Sequence, residues 1–403
     1  MTKLSDFFKS LIVVETASIL AGPAVGMFLA ELGATVIKVE NLGTGGDTTR
    51  GWKLPSETDS SDISAYFSSV NWGKLSLGLN LAEPDGQQVL RDLLDQADIF
   101  LHNFKTDTIE KFGIGYDTLR AGNERLIYAR ITAYGDNDPR PGYDAILQAE
   151  TGFTAINGSP DSGSTKMPVA LIDVLAAHQM KEALLLALME RLLTGQGQRI
   201  SISLMQSGVA SLVNQATNYL VAHTIPQRRG SDHPNISPYG TIFTTRDNRE
   251  IVLAVGTDAQ FGKLARIIGR PDLAADPNFK TNVARVKHNA ELKAILAERI
   301  ANFGRDDLLQ QLHQAQVPAG PVHTMDEVFD HPEARSLLMT NDLPDAGPIT
   351  GVRSIAFPTG ANGRDKPLLP PPHFNQHRDD VLKKMLGYDD QEIDRLRQAG
   401  VTG

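Results

Sequence analysis

Residues 169–204 read VALIDVLAAHQMKEALLLALMERLLTGQGQRISISL. The stretch opens as a short apolar run, places one carboxylate at Asp173, and continues as a long, mostly apolar segment. It then turns at Gly195-Gln-Gly-Gln198 into the alternating RISISL. This pattern predicts strand, acidic junction, buried helix, tight turn and strand. In an open α/β sheet, ligands gather outside the carboxyl ends of the strands, so a carboxylate at such an end is placed to touch one. Asp is also among the best helix N-caps, and these residues alone leave both roles for Asp173 open.

Working outward, residues 11–40 (LIVVETASILAGPAVGMFLAELGATVIKVE) predict a βαβ unit whose helix starts near Pro23, where a missing N–H costs nothing. Glu40 stands where a dinucleotide-binding unit has its ribose acid, but Gly22 and Gly26 do not complete the G-x-G-x-x-G fingerprint. The loop Gly43–Arg50 reads as a flexible surface turn, and the polar segment to Ser64 as irregular. Beyond it, strands and helices alternate through DIFLHNF and RLIYARITAYG, the pattern of a parallel sheet with helices on its faces. Asn103 follows one strand end, where an Asx turn is its simplest role. Lys105, Lys111 and Arg140 are each most simply solvated charges, yet together they could surround phosphates with donors.

The expected fold is therefore α/β, a Rossmann-like large domain with a parallel sheet plus a smaller α+β domain. Residues 1–221 are assigned to the first part of the large domain, with LMQSGVASLVNQATNYLVA as one further helix. Residues 222–235 are a Pro- and Gly-bearing linker, and 236–325 the small domain. The latter opens with a hairpin turning at Arg246–Arg249, followed by helices near 259–268, 290–303 and 305–314. Residues 326–403, with a strand candidate VRSIAFP and the proline-rich KPLLPPPHF, are read as a return to the large domain ending in two short helices.

Composition narrows the chemistry. A chain of 403 residues exceeds what one core usually supports, and no apolar run is long enough to span a bilayer. The N-terminus lacks the features of a signal peptide, and the absence of cysteine fits a cytoplasmic protein while excluding disulfides and thiolate nucleophiles. A net charge of −9 argues against nucleic-acid or anionic-membrane partners. There is no HExxH, Walker P-loop or G-x-S-x-G, and the ten histidines lack metal-ligand spacing, so no metal is expected. A strand-end carboxylate remains, and carboxylates can act as covalent nucleophiles.

Leu20-Ala21-Gly22-Pro23, GATVIKVE with GGDTTR, SLGLNLAEPDG, HNF with FGIGYDTL, PGYDAILQAETG, Leu171-Ile172-Asp173, RLLTGQGQRISISL, HPNISPYG and QVPAGPV follow one another along nearly the whole chain. In this order they resemble the class III coenzyme A transferases, the family of formyl-CoA transferase and the carnitine CoA-transferases. The resemblance implies that Asp173 is the nucleophile, forming an aspartyl mixed anhydride and then an aspartyl-CoA thioester. It implies a CoA site including Leu20, Ala21, Asn41, Leu79, Asn80, Leu81, Ala82, Asn103, Phe104, Lys105, Lys111 and Pro141 to Asp144, with Tyr143 and Asp144 near the acyl end. Asn41 stands where the family often has arginine, Ala82 where it has lysine and Lys111 where it has arginine; Arg50 or Arg140 would compensate. The resemblance implies CoA and acyl-CoA as substrates, with no tightly bound cofactor. It also implies a small di- or hydroxycarboxylic acid as partner and an interlocked homodimer.

Two other readings stand beside this one. The α-methylacyl-CoA racemases share the resemblance but carry a histidine where this chain has Tyr143, and a tyrosine with a pKa near 10 is a poor general base. A non-catalytic CoA-binding protein would keep the nucleotide loops and tolerate loss of Asp173.

Overall fold

The apolar strand Ile12–Glu15 (β1) is followed by the helix Ala21–Leu32 and the strand Thr35–Asn41 (β2), the βαβ unit expected from the sequence. The strands Lys74–Leu79 (β3), Ile99–His102 (β4), Ile127–Thr132 (β5) and Arg199–Ser203 (β6) complete a parallel sheet ordered β3-β2-β1-β4-β5-β6. Val13 pairs with Val36 on one side and Ile99 on the other, so the strand order reverses at β1 and β4. Such a reversal opens a crevice at the strands' carboxyl ends. Val13, Val14, Val36, Ile37, Ile99, Phe100 and Leu101 are all inaccessible to solvent, as the continuous apolar runs of a sheet covered on both faces require.

The computed structural model describes residues 4–343, 347–357 and 368–403. It divides into two units: Met1–Thr151, Met167–Ala216 and Ser336–Gly403 in one, Gly152–Lys166 and Thr217–Arg335 in the other. In the first unit, Val89, Leu90, Leu93 and Leu94 of the helix Pro84–Gln96 pack with Val14, Ile37, Leu77 and Phe100 on one face of the sheet. Val381, Leu382, Ile393 and Leu396 join the same core, and the Asn80 N–H donates to the Val401 carbonyl at 2.9 Å, so the C-terminal residues pack against the sheet. In the second unit, the hairpin Tyr239–Thr244 (β7) and Glu250–Ala254 (β8) is joined by Ala319–Pro321 (β9). The helices Asp258–Ile267, Asn289–Ile300 and Arg305–Gln314 pack around Phe243, Ile251, Phe261 and Leu296. Thr257 and Gln260 close the first of these with a capping box.

Four local expectations are corrected. No strand precedes Asp173: the VALI run is too short to distinguish strand from helix, and Leu171 and Ile172 form the first turn of the helix Leu171–Thr194. That helix buries Ile172, Ala176, Met180, Leu184 and Leu188 on one face but exposes Leu186, Met189 and Leu193 on the other, Leu193 at 88%. The single helix expected after β6 is two, Leu204–Ala210 and Asn214–Leu220, separated where Val213 takes a left-handed φ of 44°. The strand expected at VRSIAFP falls earlier, in the antiparallel pair Leu338–Leu343 (β10) and Gly347–Val352 (β11). Pro358 of that stretch, and Lys366 and Pro367 of the proline-rich one, lie outside the described residues.

Candidate active site

The carboxyl ends of the sheet open into a cleft of about 760 Å³. Leu20, Ala21, Asn41, Asn80, Leu81, Ala82, Asn103, Phe104, Lys105, Lys111, Arg140, Tyr143 and Asp173 all line it, so most residues singled out from the sequence share one wall system. Asn103 ties the reversal point together: its Oδ1 accepts from the Ser18 N–H at 3.4 Å and its Nδ2 donates to the Ser18 carbonyl at 3.3 Å, joining the loops after β4 and β1. Leu79 is withdrawn from the cleft into the core below β3, because the strand's alternation turns its side chain inward while Asn80 to Ala82 follow the strand.

The charges divide into available and spent. Lys105 and Lys111 face the cleft. Arg140 also lines it, exposed, with its Nε held by Asp138 at 3.0 Å and its guanidinium stacked 3.9 Å from the Tyr134 ring centre. Arg50 cannot compensate for Asn41 as the sequence suggested. Its buried guanidinium makes a two-pronged pair with Glu40 (2.7 and 2.8 Å) and lies 3.8 Å over the Phe67 ring. Glu40, the would-be ribose acid, also accepts from Ser76 Oγ at 2.7 Å and the Asp47 N–H at 2.9 Å, which leaves it no role toward a ribose.

Asp173 is only 7% exposed and occupies the third position of its helix rather than the cap, which is Ala170 and contributes no side-chain bond. The capping is done by Asp144: its Oδ1 accepts from the Ile172 N–H at 2.8 Å and its Oδ2 from Gln148 Nε2 at 2.7 Å. Asp144 is thus a buried support behind the cleft wall rather than a lining residue. Burial, and then the charge of Asp144, push the Asp173 carboxyl up to about 7. The helix start alone would favour the ionised form, but desolvation outweighs it. Among the described residues, no hydrogen-bond donor serves the Asp173 carboxylate.

Tyr66 escaped sequence reasoning. Burial, and then the charges of Asp173, Asp144 and Asp47, raise its hydroxyl, which places that hydroxyl within their fields; Trp52 meets its ring edge-on at 5.0 Å. Nothing in YFSSVNWGK marks it, since its neighbours come from segments far away in sequence.

Residues 8–378 match the sequence profile of CoA-transferase family III. The chain belongs to this family. The succinate–glutarate CoA-transferase of Agrobacterium fabrum is 38% identical over 381 residues, 93% of this chain and 94% of that one. The human succinyl-CoA:glutarate CoA-transferase is 34% identical, covering 97% of this chain and 88% of its own length. A CaiB/BaiF family protein from Brucella suis superposes with a TM-score of 0.80 at 38% identity, over 94% of this chain and 98% of that one. Named CoA-transferases matching along nearly the whole chain make this protein a class III CoA-transferase and set aside the reading as a non-catalytic binding protein. In this transferase no group of three or more His, Asp or Glu side chains could hold a metal, and no helix is long and apolar enough to cross a membrane, both among the described residues.

Proposed function

We propose that this transferase moves CoA between small dicarboxylic acids through covalent intermediates on Asp173. The observation that carries the reading is a buried carboxylate on the cleft wall, unserved by donors among the described residues, which burial and then the charge of Asp144 push up to about 7. Such a group is more basic, and so more nucleophilic, than an ordinary aspartate, yet is ionised in a substantial fraction at neutral pH.

An Asp173 oxygen attacks the thioester carbonyl of the donor; the C–S bond breaks, giving a mixed anhydride and CoA thiolate. The thiolate attacks the aspartyl carbonyl, whose bond to the anhydride oxygen breaks, releasing the first acid as carboxylate and leaving an aspartyl-CoA thioester. The incoming carboxylate attacks that thioester and expels the thiolate, which then attacks the newly bound acyl group and frees Asp173. No net proton is consumed and the thioester energy is retained. Lys105, Lys111 and Arg140 are assigned to the CoA phosphates.

Dicarboxylates are favoured because the relatives are named for succinate and glutarate. A second copy of the chain is assigned to the apolar strip of Leu186, Met189 and Leu193, in keeping with an interlocked homodimer. The test is an exchange panel: succinyl-CoA offered with glutarate, malate, mesaconate or acetate, and the new thioesters identified by mass spectrometry. Transfer to a dicarboxylate together with a CoA adduct on the Asp173 peptide is expected; transfer without any adduct would sink the covalent route.

Asp144 offers a second check. An Asp144→Asn change keeps an acceptor for the Ile172 N–H but removes the like charge beside Asp173. Its loss favours the ionised nucleophile, so the acid limb of the kcat–pH profile moves below pH 7, by about one pH unit. An unmoved limb would mean that Asp144 acts only as a cap.

A further inference from the structure

We propose that Asp47 is a positioning residue: its carboxylate clamps the Ile19 peptide in a left-handed conformation, so that the first turn of the helix Ala21–Leu32 is held toward the Asp173 cleft. The proposal rests on the transferase reading above. Ile19 has a φ of +76°, a region that β-branched residues avoid, so its surroundings must hold it there.

The surroundings are specific. Asp47 Oδ2 accepts from the Ile19 N–H at 3.2 Å and pairs with Lys38 Nζ at 3.0 Å. Its Oδ1 accepts from the Thr49 N–H and hydroxyl at 3.0 and 2.8 Å, so both oxygens are fixed. The Lys38 ammonium also donates to the Ala17 carbonyl at 3.0 Å and to Glu15 at 3.3 Å, and Glu15 in turn holds Lys74 at 2.8 Å. All four charged side chains are buried. Gly26 leaves room for this assembly: a Cβ there would fall 1.8 Å from Glu15 Oε2. Burial raises the Asp47 carboxyl, but Lys38 and the bonds from Thr49 outweigh it and hold it at about 2, so the clamp stays charged.

What the clamp presents is the start of a helix. Leu20, at the cap position, makes no side-chain cap, and Leu20, Ala21 and Gly22 line the cleft. The buried hydroxyl of Thr16 lines the same cleft and has no protein partner among the described residues. First-turn N–H groups carry partial positive charge and serve the oxyanions that develop as each acyl carbonyl is attacked. A group acting only on those oxyanions changes kcat rather than KM.

The test uses the full chain with Asp47→Asn, alone and combined with Ile19→Gly or Ile19→Ala. Asp47→Asn is expected to lower kcat at least about tenfold with KM changed less than about threefold, and to speed amide exchange at Ile19. Adding Ile19→Gly should restore most of the kcat, because glycine takes the left-handed region unaided, whereas Ile19→Ala should not. Equal rescue by alanine would overturn the proposal in favour of side-chain crowding, and unchanged Ile19 exchange in Asp47→Asn would overturn it outright. If the wild type transfers CoA to no acid, the transferase reading fails, and amide exchange still decides the clamp by itself.

Discussion

Asp173→Asn is expected to abolish CoA transfer and, above pH 7, to make the protein harder to unfold. With Asp173 in the role proposed above, the loss of activity should be about 10⁴-fold or more, the scale seen when a covalent nucleophile is removed from an enzyme. The amide is nearly the same size as the carboxyl, so the cleft keeps its shape.

The stability gain follows from linkage. The folded-state pKa of Asp173 is raised from 3.8 to about 7, so the folded protein binds this proton more tightly than the unfolded chain. The contribution of the neutral carboxyl is fully present below about pH 4 and is lost as pH rises through about 7. Over that interval the penalty grows to at most about 4 kcal/mol. Asparagine never ionises and escapes it. Urea unfolding of both proteins at pH 4, 6 and 8 checks this: the two curves should converge at pH 4 and separate at pH 8. A variant less stable than the wild type at pH 8 would show that the carboxylate is favourably held rather than poised.

The parallel sheet was legible because its strands are continuous apolar runs separated by helices with Pro and Gly at their ends, and those signals are local. Asp173 was legible as a candidate because it interrupts such a run. Its support was not: Asp144 is 28 positions away from the N–H it caps, and no sequence spacing announces that contact. The same reason hides Tyr66, whose hydroxyl is raised by burial and then by three carboxylates from three separate segments. The loop Gly43–Arg50 was misread for a related cause. Its glycines and polar side chains look like a flexible turn, yet Asp47 and Arg50 are buried by β2 and by residues more than 300 positions downstream, as in the bond from Arg50 to the Pro372 carbonyl.

Arg50→Ala separates those two views of the loop, since it should cost stability before it costs CoA affinity. The guanidinium satisfies both Glu40 oxygens, donates to the Pro372 carbonyl at 3.1 Å, and covers the Phe67 ring. Burial raises the Glu40 carboxyl, but the bonds and charge of Arg50, helped by Lys38 and Ser76, hold it below its ordinary value. Removing Arg50 therefore strands a buried carboxylate, a change that costs about 3–5 kcal/mol in proteins generally. Glu40, as a depressed carboxyl, contributes stability above its unfolded pKa that is lost as pH falls through its folded pKa, and the variant should lose most of that acid-side dependence. Lys at position 50 should recover only part of the loss, since an ammonium cannot reproduce the planar fork. Replacing the pair together, with Glu40→Gln and Arg50→Met, should cost less than Arg50→Ala alone, because no charge is then left unpaired. Denaturant unfolding and CoA titration on the same samples decide the matter. A stability change below about 1 kcal/mol with a large loss of CoA affinity would return Arg50 to the nucleotide and require Glu40 to find another partner.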